Sequence, residues 1–332
     1  MIKAAFFTGP FYLNNRQFDV SDKISNRDNC LYGFYLLKKR FKENDVDLST
    51  QDINLPSESQ FIIYNGMPKI VKDISLEKDN YLVIFESEVI RPDNWNIENH
   101  KYFKKIFTWN DKYIDNKKYF KINFSSKIPT ELDFNLNKKK KLCAMIAGHK
   151  FKKHPLELYT ERLKAIRWFE ENYPEDFDLY GIGWDKYYFK GILSRLNRFN
   201  TLRKLLKPKY SSYKGPIESK KEIYKKYKFA ICYENARDIP GYITEKIFDC
   251  FFAGCVPIYW GAPNITNHIP TDTFIDKRNF NTYEELYSYL KNMSDKEYMR
   301  YLDAIRCFIK SDKLYPFSAE HFASILTNEI LR

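Results

Sequence analysis

The 332-residue sequence contains few of the residues from which proteins build metal centres and disulfide frameworks. Its six cysteines are scattered and form no C-x-x-C pair, and its five histidines are dispersed without an H-E-x-x-H motif. The spacing therefore indicates neither a zinc site nor a set of disulfides. We expect a protein of a reducing compartment, the cytoplasm, in which the chain itself builds no metal site.

Glycine and proline are also sparse, at 11 and 14 residues, which excludes a collagen-like or low-complexity region. No apolar run approaches the roughly 20 residues that a membrane-spanning helix requires. Residues 1–7 are typical of a short apolar strand rather than of a signal peptide. Hydrophobic residues nevertheless make up 44% of the chain, which is enough for a large core, and the length favours two domains.

Positive charge is in excess, because 55 Lys and Arg against 43 Asp and Glu give a net charge of +12. Aromatic residues are abundant as well, at 17%. A basic protein that binds nucleic acid or another polyanion without catalysis has such a composition. The sequence carries no RNP, zinc-finger or helix-turn-helix motif, so we keep this class as a distant alternative and expect no nucleic-acid partner.

Apolar runs and helical spacing alternate along the chain in two halves. In the first half they predict strands at 2–8, 60–64, 81–85 and 105–109 and a helix at 29–41. After the polar segment 135–141, whose four lysines favour a solvated linker, they predict strands at 142–147, 177–180, 229–233 and 256–260 and helices at 156–171 and 244–252. This order predicts two α/β domains, 1–138 and 139–332, with the last helix packing back on the first domain.

Residues 191–209 combine apolar residues at helical spacing with a basic face. Ile192, Leu196 and Leu206 lie on the apolar stripe, and Arg195 and Arg198 lie among the basic residues. Such a helix can lie on an anionic membrane surface. The alternative is a surface helix that packs its apolar stripe on its own domain.

The densest chemical pattern lies between residues 233 and 263, which read as a strand end, a polar loop, a helix and a second strand. Ligands of open α/β sheets bind at the carboxyl ends of the strands, where the loop offers Glu234, Asn235 and Arg237. The helix then begins with Thr244, Glu245 and Lys246. Its N-terminus and the lysine attract anions, and a neighbouring carboxylate can accept hydrogen bonds from a sugar diol. The pattern suits a nucleotide-sugar, although a merely capped helix start would look the same.

The same segment resembles the signature of glycosyltransferase family 10, the α-1,3/1,4-fucosyltransferases. The matching positions are Tyr227-Lys228-Phe229, Glu234-Asn235, Tyr242-Ile-Thr-Glu-Lys246, Ala253-Gly254, Val256-Pro257 and Gly261. In the first half, Phe85-Glu86-Ser87 and residues 103–109 resemble two further family segments, although Glu88 replaces the usual proline. Arg162 resembles the family's donor-phosphate arginine, with Arg167 as the neighbouring alternative.

The resemblance implies the GT-B fold, in which two Rossmann-like domains face each other across a cleft, with the acceptor on the first domain and GDP-β-L-fucose on the second. It implies Glu86 as general base, with Glu88 as the alternative, and Arg162 and Lys246 as stabilisers of the leaving diphosphate. Glu245 would hold the ribose. The remaining donor-site residues implied are Glu234, Asn235, Tyr242, Ile243 and Thr244. Residues 14–19 and 32–35 are candidates for acceptor contacts.

The implied reaction is an inverting transfer of L-fucose to a Gal/GlcNAc-type acceptor, α-1,3 in linkage, in a bacterial surface glycan such as an O-antigen. Transfer of another GDP-6-deoxy-hexose, such as colitose, is the alternative. No cofactor is expected to be obligatory besides the GDP-sugar co-substrate, and Mn²⁺ or Mg²⁺ would only stimulate. An oligosaccharide or lipid-linked glycan would be the acceptor. We expect the protein to attach peripherally to the inner face of the cytoplasmic membrane.

Overall fold

A computed structural model describes residues 1–189 and 191–331, so that Arg332, the last residue of the predicted second domain, lies outside it. Its strands are β1 (Ile2–Phe7), β2 (Val46–Thr50), β3 (Phe61–Asn65), β4 (Asp79–Ile84), β5 (Lys105–Thr108), β6 (Tyr119–Lys121), β7 (Lys141–Ile146), β8 (Phe177–Tyr180), β9 (Tyr227–Tyr233), β10 (Val256–Trp260) and β11 (Ile275–Asp276). Its α-helices are α1 (Tyr32–Glu43), α2 (Tyr159–Asn172), α3 (Asn200–Leu205), α4 (Lys220–Tyr224), α5 (Glu245–Phe252), α6 (Tyr283–Asn292), α7 (Asp295–Ile309) and α8 (Ala319–Leu331).

The strands form two separate parallel sheets. The first has the order β2-β1-β3-β4-β5-β6, and the second has the order β11-β10-β9-β7-β8. Buried strands of parallel sheets are apolar on both faces, and Ile62, Ile63 and Tyr64 of β3 are accordingly fully buried. The eight predicted strands are present within one or two residues of their expected ends. The short strands β2, β6 and β11 and the helices α4, α6 and α7 were not predicted, whereas a last helix was.

Three lysines of the run at the domain boundary, Lys138, Lys140 and Lys141, are exposed, as its composition predicts, whereas Lys139 is half-buried. The ammonium of Lys139 donates to the carbonyl oxygens of Tyr224 (3.3 Å) and Ala253 (3.2 Å). Burial lowers the pKa of this ammonium. Lys141 begins β7 and forms an ion pair with Asp178. The run therefore leads directly into β7, which lies between β9 and β8 in the second sheet.

The chain returns to the first sheet at its end. Helix α8 packs along α1, and the rings of Phe34 and Phe322 meet edge to face at 5.4 Å. At the other end of α8, the Lys105 ammonium lies 2.8 Å from the Glu329 carboxylate. Residues of α8 thus complete the hydrophobic core beside the first sheet, and the chain crosses between the two sheets twice.

The two domains contact each other through an apolar cluster and a polar one. Trp109 of the first domain packs against Tyr242 of the second, with ring centroids 4.6 Å apart and the rings inclined by 47°. Beside them, the Asp111 carboxylate accepts hydrogen bonds from Asn264 (2.8 Å) and His268 (3.0 Å). Although burial opposes its ionisation, these donors and Lys121 lower the pKa of Asp111. The loops after β4 and β9 face the cleft next to this contact.

Residues 191–209 form a 3₁₀ helix (Gly191–Arg198) followed by α3, instead of one continuous helix. Ile192 and Leu205 are 97% and 80% exposed, so the apolar stripe does not pack on its own domain as a whole. Leu196 and Leu202 are half-buried. In the described part of the chain, every helix is too short or too polar to cross a bilayer.

Candidate active site

The loop after β4 carries Glu86 into the cleft. Two indoles hold the backbone of this loop, since Trp109 Nε1 donates to the carbonyl of Phe85 (2.7 Å) and Trp95 Nε1 donates to that of Glu86 (3.0 Å). The Glu86 side chain remains accessible to solvent. Desolvation in the cleft raises its pKa, and the charges of Lys150 and Lys246 on the second domain oppose that rise.

The buried carboxylate of Glu234, directly after β9, organises the start of α5. One oxygen accepts from the Thr244 backbone N–H (2.8 Å), and the other accepts from the Thr244 hydroxyl (2.7 Å) and the Lys246 ammonium (3.2 Å). Thr244 also caps the helix, as its sequence position predicts. Glu234 is fully buried, so in this structure it positions Lys246 instead of facing the cleft.

Lys246 and Glu245 present opposite charges to the cleft. Burial alone would lower the pKa of the Lys246 ammonium, but Glu234 and Glu245 outweigh it and raise that pKa. Burial would likewise favour the neutral form of Glu245, but Lys246 and Lys220 outweigh it and lower its pKa. The Glu245 side chain is 41% exposed, which leaves its carboxylate open to a ligand. Lysine can meet an anionic group here, and Glu245 can accept hydrogen bonds from hydroxyls.

Arg162 lies on the same side of the cleft and is 5% exposed. Its Nη2 donates to the Tyr233 carbonyl (2.6 Å) and to Asn235 Oδ1 (3.0 Å). Within residues 1–189 and 191–331 it has no carboxylate within 4.0 Å, and burial lowers the pKa of its guanidinium. The hydroxyl of Tyr159, one helical turn earlier, is buried without a hydrogen-bond partner in the described part of the chain. A buried cation without an anionic partner is costly, so this corner favours an anionic ligand.

Arg167 is separated from this corner by its position on α2. Its Nη1 donates to the Glu170 carboxylate and to the Lys209 carbonyl, at 2.7 Å and 2.8 Å. Its guanidinium stacks 4.0 Å from the ring of Tyr210. Five residues of an α-helix turn through about 140° from the same face, which explains why only Arg162 reaches the loop after β9.

Two glycines of the motif allow close approaches that a side chain would block. Gly241 has φ +80°, and a Cβ there would lie 2.3 Å from the Trp109 carbonyl oxygen of the other domain. A Cβ on Gly261 would lie 2.5 Å from Cγ of Glu234. Without a side chain, Gly241 lets the two domains approach each other closely, and Gly261 lets the chain pass over the buried Glu234 side chain.

The remaining predicted residues surround these groups. Tyr242 and Ile243 are buried, and Asn235 is half-buried beside Arg162. Glu88 is exposed, two residues beyond Glu86. Sequence reasoning missed Trp95, Tyr159 and Lys150. Only Tyr159 carried a local signal, because it lies one helical turn before Arg162. Among all the described residues, the site included, no group of three His, Cys, Asp or Glu side chains is arranged to hold a metal ion.

Comparison with known proteins finds a family that part of the chain resembles. Residues 193–313, which include α5 and the loop before it, match the model described as "Glycosyltransferase family 10 (fucosyltransferase) C-term". This segment, about a third of the chain, is therefore similar to the C-terminal part of glycosyltransferase family 10. The α-(1,3)-fucosyltransferase FucT of Helicobacter pylori is 36% identical over 75 residues, which are 23% of this chain and 16% of that protein. The chain thus matches only a small part of that relative's length.

The fold extends the likeness beyond the family 10 segment. A crystal structure of an α1,3-fucosyltransferase superposes with a TM-score of 0.58 at 15% identity, covering 100% of this chain and 90% of that one. A structure of α1,3-fucosyltransferase with GDP-fucose has a TM-score of 0.54 at 14% identity and the same coverage. The predicted fold class, α/β with two Rossmann-like domains in the GT-B arrangement, is confirmed.

Proposed function

We propose that this protein is an inverting glycosyltransferase that moves L-fucose from GDP-β-L-fucose to a hydroxyl of a Gal/GlcNAc-type acceptor. The observation that carries the proposal is the pairing, across one cleft, of an accessible carboxylate, Glu86, with two cations, Lys246 and Arg162. The family 10 match of residues 193–313 supports the donor, and the name of the Helicobacter pylori relative supports the α-1,3 linkage. A bacterial surface glycan, such as an O-antigen, is the proposed product.

In the proposed reaction each domain supplies one side. Glu86 accepts the proton of the acceptor hydroxyl, whose oxygen attacks the anomeric carbon from the face opposite GDP. The bond from that carbon to the diphosphate oxygen breaks, and negative charge grows on the leaving GDP. Lys246 and Arg162 stabilise that charge. Glu245 accepts hydrogen bonds from the ribose. Because these two cations are in place, we propose that Mn²⁺ or Mg²⁺ stimulates without being required.

The decisive experiment is transfer by the purified protein from a panel of GDP-sugars to galactose and N-acetylglucosamine acceptors, with the product linkage read by NMR. We expect fucose in α-1,3 linkage, with activity retained in EDTA. A higher transfer rate from GDP-colitose than from GDP-fucose would show that colitose, and not fucose, is the sugar transferred. Salt-sensitive nucleic-acid binding without any glycosyl transfer would establish the polyanion-binding alternative instead.

Arg162→Met is expected to weaken GDP binding about tenfold or more, because a charge-assisted hydrogen bond contributes about 1.5–3 kcal/mol. Methionine keeps the buried aliphatic stem and removes only the charged group. Calorimetric titration with GDP measures the change. Arg167→Met, on the same helix but facing Glu170, is the matched control and should bind GDP as the native chain does. Equal losses in the two variants would contradict the assignment of Arg162.

The acidic limb of the pH–rate profile is expected to lie above the value of about 4.3 for an ordinary glutamate. The base acts only when ionised, and the cleft raises the pKa of Glu86, so activity is lost at a higher pH than usual as the solution is acidified. Lys150→Gln removes a charge that opposes the rise, and it should move the limb further upward. Lys152→Gln, two residues away and exposed, is the control. An unmoved limb in Lys150→Gln would contradict the assignment of this limb to Glu86.

We further propose that residues 191–209 attach the protein peripherally to the inner face of the cytoplasmic membrane, where the acceptor would be a lipid-linked glycan. Between Asp185 and Glu218 the sequence has nine basic residues and no acidic one. Apolar side chains stand exposed among them, Ile192 and Leu205 foremost. An amphipathic, basic surface of this kind suits an anionic leaflet, to which each basic side chain contributes about 1 kcal/mol.

Replacement of Arg195, Arg198, Lys204 and Lys207 by serine is expected to lower the binding constant for anionic vesicles about 10²–10³-fold, because each basic side chain contributes about 1 kcal/mol. Co-sedimentation at low and high salt measures it, and salt should weaken binding of the native chain. The control replaces four exposed lysines of the first domain that form no ion pair in the described structure, Lys23, Lys42, Lys69 and Lys72. If both variants sediment alike, the 191–209 surface is not the attachment site.

A further inference from the structure

A cavity of about 150 Å³ lies in the interdomain cleft beside the loop that carries Glu86. The first domain lines it with Glu88, Trp95 and Tyr113, and the second domain lines it with Asp238 and its neighbours. Trp95, which lines the cavity, donates from Nε1 to the backbone carbonyl of Glu86 at 3.0 Å, so the cavity lies beside the loop that carries the proposed base. Its opposite wall, residues 238–240, belongs to the loop between Asn235 and Tyr242.

Aromatic rings supply the apolar part of this cavity. The rings of Trp95 and Tyr113 lie 5.7 Å apart and are inclined by only 32°, so they form a broad wall. Both side chains are half-buried, whereas Trp109 behind Trp95 is fully buried. Rings fixed from behind in this way present a rigid apolar surface to a ligand.

The polar residues of the cavity include two carboxylates, Glu88 and Asp238, besides Asn110 and Lys112. Glu88 is exposed and forms no ion pair within the described residues. Asp238 is also exposed and lies 3.4 Å from the Arg237 guanidinium. Lys112 is the one cation among the residues that line the cavity in the described structure. A few convergent polar groups on a mainly aromatic wall are typical of sites for small organic ligands.

We propose that this cavity binds one saccharide ring of the acceptor and that Glu88 selects an uncharged ring over an anionic one. The inference rests on the proposed function, since it supplies the acceptor side of the same cleft. The aromatic wall contacts the apolar face of the ring, and Glu88 and Asp238 accept hydrogen bonds from its hydroxyls. A sugar carboxylate or sulfate would be repelled by the two carboxylates.

Saccharide titration into the GDP complex of the full chain tests the proposal without requiring turnover. Two probes are compared: N-acetyllactosamine, which is neutral, and its sialylated form, which is anionic. Glu88→Gln should weaken binding of the neutral probe about tenfold, and it should reduce the difference in affinity between the two probes. Tyr113→Ala should weaken binding of both probes. Glu77→Gln is the matched control, because Glu77 is exposed and precedes β4 at the end remote from the cleft. GDP affinity should be the same in all four proteins.

Unchanged saccharide affinity and unchanged discrimination in Glu88→Gln would overturn the proposal. Loss of kcat in Glu88→Gln at unchanged acceptor KM would also overturn it, because Glu88 would then act as the base. Failure of the proposed function looks different: the native chain would then neither bind GDP nor turn over GDP-fucose, whatever its saccharide affinity. The two hypotheses are therefore separated by the GDP titration of the native chain.

Discussion

Glu86→Gln is expected to lower the transfer rate about 10²–10⁴-fold while GDP-fucose binding is retained. Glutamine has the same shape but cannot accept the hydroxyl proton, and a positioned general base contributes a factor of this size. Donor binding should persist because Glu86 belongs to the first domain and the cations belong to the second. Measurement of kcat with labelled donor, together with calorimetric titration of GDP-fucose, separates the two effects.

Glu77→Gln provides the matched control for this substitution, because it makes the same change at the other end of β4. The melting temperature of Glu86→Gln should not fall, since desolvation in the cleft disfavours the ionised carboxylate that is removed. Normal turnover by Glu86→Gln with loss of kcat in Glu88→Gln would show that Glu88 is the base.

Lys246→Ala is expected to weaken GDP binding about 10- to 150-fold and also to destabilise the fold by about 3 kcal/mol. The first effect is the loss of a charge-assisted hydrogen bond of about 1.5–3 kcal/mol to the diphosphate. The second arises because Glu234, which is fully buried, loses its cationic partner. Calorimetric titration with GDP and denaturant unfolding measure the two quantities independently.

A second substitution distinguishes these effects. Adding Glu234→Gln to Lys246→Ala removes the unpaired buried charge, while the amide oxygen can still accept from the Thr244 backbone N–H. We expect most of the stability to return and the GDP affinity to stay low. If GDP affinity returned with the stability, the loss in Lys246→Ala would come from a disordered start of α5 and not from the missing ammonium.

Local sequence patterns were sufficient for eight of the eleven strands in the described structure and for the α/β class, whereas the GT-B arrangement was implied by the family resemblance. Strands such as β3 and β4 are buried on both faces, so they appear in the sequence as continuous apolar runs. Short strands at sheet edges, such as β6 and β11, bury less and carry a weaker pattern. The start of α5 could also be predicted from the sequence, because Thr244 is a capping residue directly before a helical apolar stripe.

The sequence by itself therefore determined which residues gather around the second sheet, since Glu234, Thr244 and Lys246 lie within 13 positions of one another. Only the tertiary structure decided what each of them does. Burial separates Glu234, which holds Lys246, from Glu245, which remains open to the cleft. Such differences depend on which atoms exclude water and which charges lie close by, and residues distant in the chain provide both.

The same reason applies to the first domain's contribution. Glu86 was identified by its motif. The indoles of Trp95 and Trp109, which hold the backbone of its loop, come from separate parts of the chain. So does Lys150, whose charge opposes the rise in the pKa of Glu86. Arg162 and Arg167 were equivalent by spacing, and the rotation of α2 against the loop after β9 distinguished them. Sequence patterns record local periodicity, whereas the cavity lined by Glu88 and Asp238 lies between two domains that approach each other closely at Gly241.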